Sequence, residues 1–256
     1  MTAMLPYTDF SYPKSLYAVK DALKFIVNDK PNALIVDFFA GSGTTLHAVN
    51  LLNAEDNGTR RCIMVTNNEI SIDEVKKLND EGLHPGDERW EKNGISRYIT
   101  WPRTLCSIKG IDVNGNPLKG EYLCIDKLMS EGFRANVKYF KLSFLNKTSV
   151  ALGRQFKELL PVLWMKGNAI GKCPELETDE IPAMLILPAN KMAVLNDEIY
   201  YAEFDEELKK HTEIETVFIV TDSESAYREM IRHYDGKDCY QLYRDYLDNF
   251  RINTGR

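Results

Sequence analysis

The sequence predicts an α/β protein: a parallel sheet with flanking helices, followed by a smaller C-terminal α/β domain. Two observations carry this. The apolar run Ala33-Leu34-Ile35-Val36 meets an acid, a glycine-rich turn and a helix, and a second apolar run, Arg61-Cys62-Ile63-Met64-Val65-Thr66, is closely followed by another acid, Glu69. Strand, tight turn, helix, strand and acid in that order make a βαβ unit. The second observation is a series of short apolar runs beyond residue 182, separated by helical stretches, which is the pattern of a separate small α/β module.

Taken in order, Tyr12-Pro13-Lys14-Ser15 stops an extended entry, and a helix runs from there through about Asn28, with Leu16, Val19, Ala22, Leu23 and Ile26 at helical spacing on one face. Asp29-Lys30-Pro31-Asn32 is a turn. The strand at Ala33–Val36 leads to a helix over Thr44–Leu52 whose Leu46, Val49 and Leu52 face inward. Residues 71–95 are polar, helical or irregular, and punctuated by Gly82, Pro85-Gly86 and Gly94. Asn114-Gly115 signals a hairpin. Asn136–Phe144 alternates as a strand does, and Ser149–Trp164 reads as an amphipathic helix interrupted by Pro161. Gly171, Pro174, Pro182 and four acids make 171–182 a linker. Beyond it, Ala183–Leu187, Met192–Leu195 and Ile199–Phe204 read as strands and Asp205–His211 as a helix. Glu215–Thr221 reads as a strand, Ser223–Tyr234 as a helix capped by Ser223, and Cys239–Tyr243 as a last strand. The expected domains are therefore 1–110, a basic connecting region 111–182, and an acidic C-terminal domain 183–256.

At 256 residues the chain can bury a substantial core, and its 44% hydrophobic and 27% charged fractions are ordinary for a globular protein. No apolar run approaches the roughly 20 residues of a membrane span, and Met1–Tyr7 does not resemble a signal peptide. Five scattered cysteines (Cys62, Cys106, Cys124, Cys173, Cys239) without a C-x-x-C pair argue against a disulfide framework or a zinc site. Reduced thiols and a cytoplasmic location are expected. The net charge of −6 is uneven: residues 111–170 hold nine Lys and Arg against five Asp and Glu, whereas residues 171–256 hold ten against nineteen. Nucleic-acid contact belongs to the chain before 171, because an acidic surface repels phosphate. The acidic remainder suits a scaffold or a protein-facing module.

The stretch richest in chemistry is Asp37-Phe38-Phe39-Ala40-Gly41-Ser42-Gly43-Thr44-Thr45. An acid at a strand tip, a turn of small residues and a helix start bring backbone N–H groups against an anionic or zwitterionic ligand. A dinucleotide fingerprint needs a third glycine where Leu46 stands, and a phosphate loop needs Gly-Lys-Ser/Thr where Thr44 follows Gly43. Pyrophosphate is therefore disfavoured. One acid, two glycines and two hydroxyls suit a ligand with an ammonium, a carboxylate and no phosphate, and S-adenosyl-L-methionine is such a ligand. Glu69, at the end of the next strand, is placed to accept from two ribose hydroxyls. In a purely structural role Asp37 would cap a helix and Glu69 would be an ordinary strand-end acid.

DFFAGSGTT (37–45), preceded by YPK (12–14) and followed by VTNNE (65–69), resembles the β-group of amino-directed DNA methyltransferases, and within it the modification subunit of type III restriction–modification systems. GISRYITWPR (94–103) and GFRANVKYFKLSFL (132–145) also resemble that family, so the likeness covers most of the chain. The resemblance implies a partial Rossmann-like, S-adenosylmethionine-dependent methyltransferase fold, with S-adenosyl-L-methionine as cofactor and double-stranded DNA as the complete enzyme's substrate. It implies that Asp37, Phe39, Gly41 and Gly43 form the cofactor loop and that Thr44 and Thr45 hold the methionine carboxylate. Glu69 would bind the ribose, and Phe10, Pro13 and Lys14 would lie over the cofactor.

The departure from the family is larger than any of these matches. Its catalytic motif is Asp/Asn/Ser-Pro-Pro-aromatic, which accepts from the target amino group and stacks on the flipped base. No Pro-Pro pair occurs among the ten prolines. In the β order that motif and the target-recognition region come before the YPK segment, and the chain begins almost at YPK. The resemblance thus implies a C-terminal portion of an adenine-specific enzyme, with no catalytic residue of its own and unable to methylate alone. A restriction subunit and a methyltransferase dimer partner are the expected protein partners. The alternatives are a silent module that docks a restriction subunit, or a small-molecule or RNA methyltransferase.

Among the remaining residues, His47 is expected in a packing or surface role. Trp101 and Arg103 are expected as a core tryptophan with a surface arginine, against base stacking and phosphate contact. Lys138, Lys141, Lys147, Arg154 and Lys157 either track DNA or form a solvated face. Tyr227, Tyr234, Tyr240, Tyr243 and Tyr246 are expected in a core and a domain interface.

Overall fold

The two apolar runs that flank the glycine turn pair with each other. In the computed structural model, which describes residues 1–8, 10, 13–142, 156–178 and 180–242, β1 (Leu34–Asp37) and β2 (Arg61–Met64) form a parallel ladder with Val36 opposite Ile63. The crossover is α2 (Thr44–Asp56), buried continuously from His47 to Leu52. The chain folds as two compact units, Met1–Val137 and Lys138–Arg256.

In the first unit, α1 (Leu16–Val27) begins where Ser15 accepts a hydrogen bond from the Ala18 N–H. Its buried residues are Lys20 and Val27, not the expected stripe: Ala22 is exposed and Ile26 is 65% exposed. Electrostatics overrides the apolar periodicity here. Lys20 lies 2.8 Å from Glu55 of α2, and Lys24 pairs with the same carboxylate. A buried ammonium is tolerated only when paired, so this contact sets the rotation of α1. At the other end Arg60, with a fully buried side chain, donates to the Val27 carbonyl (2.9 Å) and pairs with Asp56 (2.8 Å).

α3 (Ile72–Asp80), capped by Ser71, and the single turn α4 (Glu88–Glu91) fill the polar stretch. A π-helical turn, Ser96–Thr100, then runs into α5 (Trp101–Lys109). The Asn-Gly signal becomes a tight turn closed by one antiparallel bridge, Ile111 to Pro117, with Asp112 accepting from the N–H groups of Asn114 and Asn116. Tyr122 and Phe133 return to pack on Leu51 of α2. Residues 136–142 are not a strand; 143 and 144 lie outside the described residues. Alternation alone makes no strand without a neighbouring edge to bond, and Leu142 is almost fully exposed.

The second unit has a four-stranded sheet in the order β3 (Met184–Leu187), β4 (Met192–Leu195), β5 (Thr216–Val220), β6 (Asp238–Leu242). β3 is antiparallel to β4, and the other pairs are parallel. One face packs Met192, Val194 and Phe218 against Leu160 and Trp164 of α6 (Phe156–Lys166). The other packs Leu195, Val217 and Ile219 against Phe204 and Leu208 of α7 (Tyr201–Lys210). Residues 149–155 of the expected helix lie outside the described residues. The described residues of 171–182 carry no helix or strand, yet Cys173 is buried in the core beside Trp164.

Ile199–Phe204 is helical, not a strand. Asp197 accepts from the Ile199 N–H at 3.1 Å and starts a 3₁₀ turn, Glu198–Tyr200, which continues into α7. Tyr201, Phe204 and Leu208 then fall on one helical face. α8 (Glu224–Met230) is capped by Ser223 as expected; Tyr227 and Tyr234 join the core on one face of the sheet, and Tyr240 of β6 joins the core on the other. Tyr243 and Tyr246 lie outside the described residues. Among the described residues no helix is long and apolar enough to cross a membrane, and no His, Cys, Asp and Glu cluster could hold a metal ion. The five cysteines are free thiols.

Candidate ligand-binding site at the end of the first strand

Asp37 closes β1 and organises the turn that follows. Its Oδ1 accepts from the Phe39 N–H (3.0 Å) and its Oδ2 accepts from the Thr45 hydroxyl (2.6 Å). The backbone joins in: Val65 N–H donates to the Asp37 carbonyl (2.8 Å), Ala40 N–H to the Val65 carbonyl (3.2 Å) and Gly43 N–H to the Ala40 carbonyl (2.8 Å). The loop is thereby tied to both strands.

Gly41 and Gly43 have φ of +49° and +77°, which L side chains rarely adopt. A Cβ on Gly43 would also lie 3.2 Å from the Thr100 Cγ2. Gly43 is the N-cap residue of α2 and supplies no side-chain cap. The N–H groups that open this 13-residue helix thus form a donor set for a negative group, with the helix dipole behind it.

Behind the loop stands α5. Arg103, only 5% exposed, donates from Nη1 to the Ser42 carbonyl (3.1 Å), the Ser42 hydroxyl (2.7 Å) and the Thr44 hydroxyl (2.8 Å). Thr100 donates to the Gly41 carbonyl. The expectation of a surface arginine is overturned, and so is a phosphate contact, because the guanidinium is spent on the loop. Trp101 beside it is half-buried. The available signal was the spacing of Thr100, Arg103 and Thr104, a polar stripe on one helical face.

The structure distributes the other candidates unevenly. Phe39 is 89% exposed at the loop tip. Lys14, Ser15 and Thr45 line one open groove of about 440 Å³, with Val19, Ala22 and Ile26 along its apolar wall. Pro13 is exposed beside it. Phe10 packs against Met4, Leu5 and Ile99. Glu69 is exposed beyond β2, its carbonyl accepting from the Ile95 N–H at 2.8 Å. His47 is buried, with Nε2 2.9 Å from the Tyr122 hydroxyl; burial, then the Arg103 charge, pushes its pKa down to about 3, and it serves packing. Burial, then Asp37, pushes the Cys62 thiol up to about 12, so no thiolate nucleophile forms there. In the second unit Lys138 pairs with Glu175. Lys147 and Arg154 lie outside the described residues.

No protein-family model matches the chain. It is similar to the type II methyltransferase M.KpnI of Klebsiella pneumoniae, with 46% identity over 59 residues, 23% of this chain and 14% of that protein. It is similar also to the Mod subunit of the type III restriction-modification enzyme EcoPI of Escherichia phage P1, with 41% identity over 61 residues, 24% and 9% respectively. The Mod subunit of the type III enzyme StyLTI of Salmonella typhimurium shares 47% identity over 57 residues, 22% and 8%. The matched stretches span less than one sixth of each relative's length. Over that stretch the chain is related to methyltransferases of restriction–modification systems.

Proposed function

We propose that the first unit binds S-adenosyl-L-methionine, and that the chain is the cofactor-binding C-terminal portion of a site-specific adenine (exocyclic amino) DNA methyltransferase of a restriction–modification system, built on a partial Rossmann-like fold. The loop from Asp37 to Thr45 carries this reading, together with the similarity to modification enzymes. The donor set fits the ligand. Each Asp37 oxygen accepts one internal hydrogen bond and keeps a lone pair for an ammonium, while the start of α2 suits a carboxylate.

In this reading Asp37, Phe39, Gly41, Gly43, Thr44 and Thr45 hold the amino-acid end, Glu69 the ribose, and Phe10, Pro13 and Lys14 complete the site. Thr44 acts through its backbone N–H, since its hydroxyl is engaged by Arg103. The cofactor supplies an already activated methyl group, so the chain's task is orientation. Double-stranded DNA meets the region before residue 171, and residues 183–256 face a protein partner such as a restriction subunit. Titration calorimetry tests the cofactor assignment. The chain is expected to bind S-adenosyl-L-methionine, and Asp37→Ala to weaken binding about tenfold or more with the fold intact. No binding by the folded chain, or binding indifferent to Asp37→Ala, would defeat it.

Among the described residues β1 is paired on one side only, and Leu34, Val36, Ile63 and Val65 are each 45–50% exposed. Parallel sheets are ordinarily covered on both faces. This surface supports completion of the unit by another polypeptide region, which would bring the Pro-Pro-aromatic motif absent from these 256 residues. Co-expression with such a region of a modification subunit is expected to yield adenine methylation that neither piece shows alone.

A further inference from the structure

The residues of α5 and of the turn before it that stand behind the loop do more than fill space. Gly41, Ser42 and Thr44 are each held from that side, by Thr100 or by Arg103. The preceding π-helical turn adds a residue to the helical register, a feature that recurs at functional sites. Among the described residues Arg103 meets only neutral oxygens, with no carboxylate, and its Nε has no partner. A buried guanidinium is costly unless it is hydrogen-bonded, and the bonds to Ser42 and Thr44 offset part of that cost only while the loop keeps this shape. His47, the other ionisable group nearby on α2, stays neutral. Among the described residues this positive charge has no carboxylate partner, and it stands against Ser42 and Thr44 at the N-terminus of α2, whose opening N–H groups carry the same sign.

We propose that Arg103 is a positioning residue for the carboxylate of the ligand: it fixes Ser42 and Thr44 so that the opening N–H groups of α2 are pre-aimed, and its positive charge favours an anionic group at that point. This rests on the S-adenosyl-L-methionine reading. Lysine keeps the charge and a single donor nitrogen but carries it on a flexible stem without the planar group that fixes its aim, so it is a partial substitute.

The test uses the full chain with three probes. S-adenosylhomocysteine carries the amino-acid end, carboxylate and ammonium; methylthioadenosine shares the adenine, ribose and thioether but lacks that end. The decarboxylated analogue of S-adenosylhomocysteine, which keeps the ammonium alone and should behave as methylthioadenosine does toward Arg103→Met, separates the two groups. Arg103→Met is expected to weaken S-adenosylhomocysteine about tenfold or more and to leave methylthioadenosine within about twofold, with Arg103→Lys falling between. A merely structural role would weaken all three probes alike, and that result, or no change in any, overturns the proposal. Failure of the unmodified chain to bind any probe is a different outcome, which removes the cofactor reading. Amide hydrogen exchange then decides on positioning without a ligand. Arg103→Met is expected to speed exchange at Gly43–Thr45 while β2 keeps its protection, and unchanged exchange in the loop overturns the claim.

Discussion

As the pH falls from 6.5 toward 5, the first unit is expected to lose stability through His47 at a rate approaching about 1.4 kcal/mol per pH unit. The imidazole is 4% exposed and bonded to Tyr122, and burial first, then the Arg103 charge, holds its pKa at about 3 against an ordinary 6.5. Unfolding exposes a base that takes up a proton the folded chain refuses, so acid drives the equilibrium toward the unfolded state. The contribution is complete above the ordinary value and is progressively lost on the way down to about 3. Urea titrations of the chain and of His47→Gln at stepped pH check this. The slope should largely vanish in the variant between about pH 6.5 and about pH 5, where carboxylates still hold their charge. Glu55 and Asp56, both held below the usual carboxylate range with Lys and Arg partners, add their own loss only in stronger acid. An equal slope in both proteins would show that His47 is not the group responsible.

Phe204→Ala is expected to cost the second unit about 3–5 kcal/mol, enough to remove most of the stability of a small domain. Phe204 has no exposed surface and sits among Leu195, Leu208, Ile214, Val217 and Ile219 beneath the sheet. These neighbours lie on two strands, on α7 and in the connection that follows it, so the vacated volume cannot close by moving one side chain. Phe204→Leu should recover much of the loss, since it restores volume without a polar atom. Urea midpoints of the three proteins check the order; a Phe204→Ala midpoint equal to that of the parent would show that the site collapses freely.

Both sites also show what local sequence can and cannot reveal. β1, the glycine turn and α2 were legible because each is specified by adjacent residues: an apolar run, glycines at positive φ, and a hydroxyl-rich helix start. Ser15 and Ser223 were legible as caps for the same reason. Ile199–Phe204 was misread as a strand because a run of large apolar residues fits either period. Asp197 and the sheet beneath α7 select the helix. The rotation of α1 was hidden because its partner, Glu55, lies 35 residues from Lys20.

The candidate site divides in the same way. Asp37, Gly41, Gly43 and Thr45 announce the turn in the sequence alone, because a tight turn between strand and helix is a local event and few residue types can make it. Arg103 is separated from Ser42 by 61 residues, and nothing in its own neighbourhood shows that its charge turns inward. Only the packing of α5 behind α2 decides that, since burial and counter-charge are properties of the assembled interior. The sequence by itself determined the strand, the tight turn and the helix start that make this loop; the tertiary structure decided how the loop is held, and which charged side chain stands behind it.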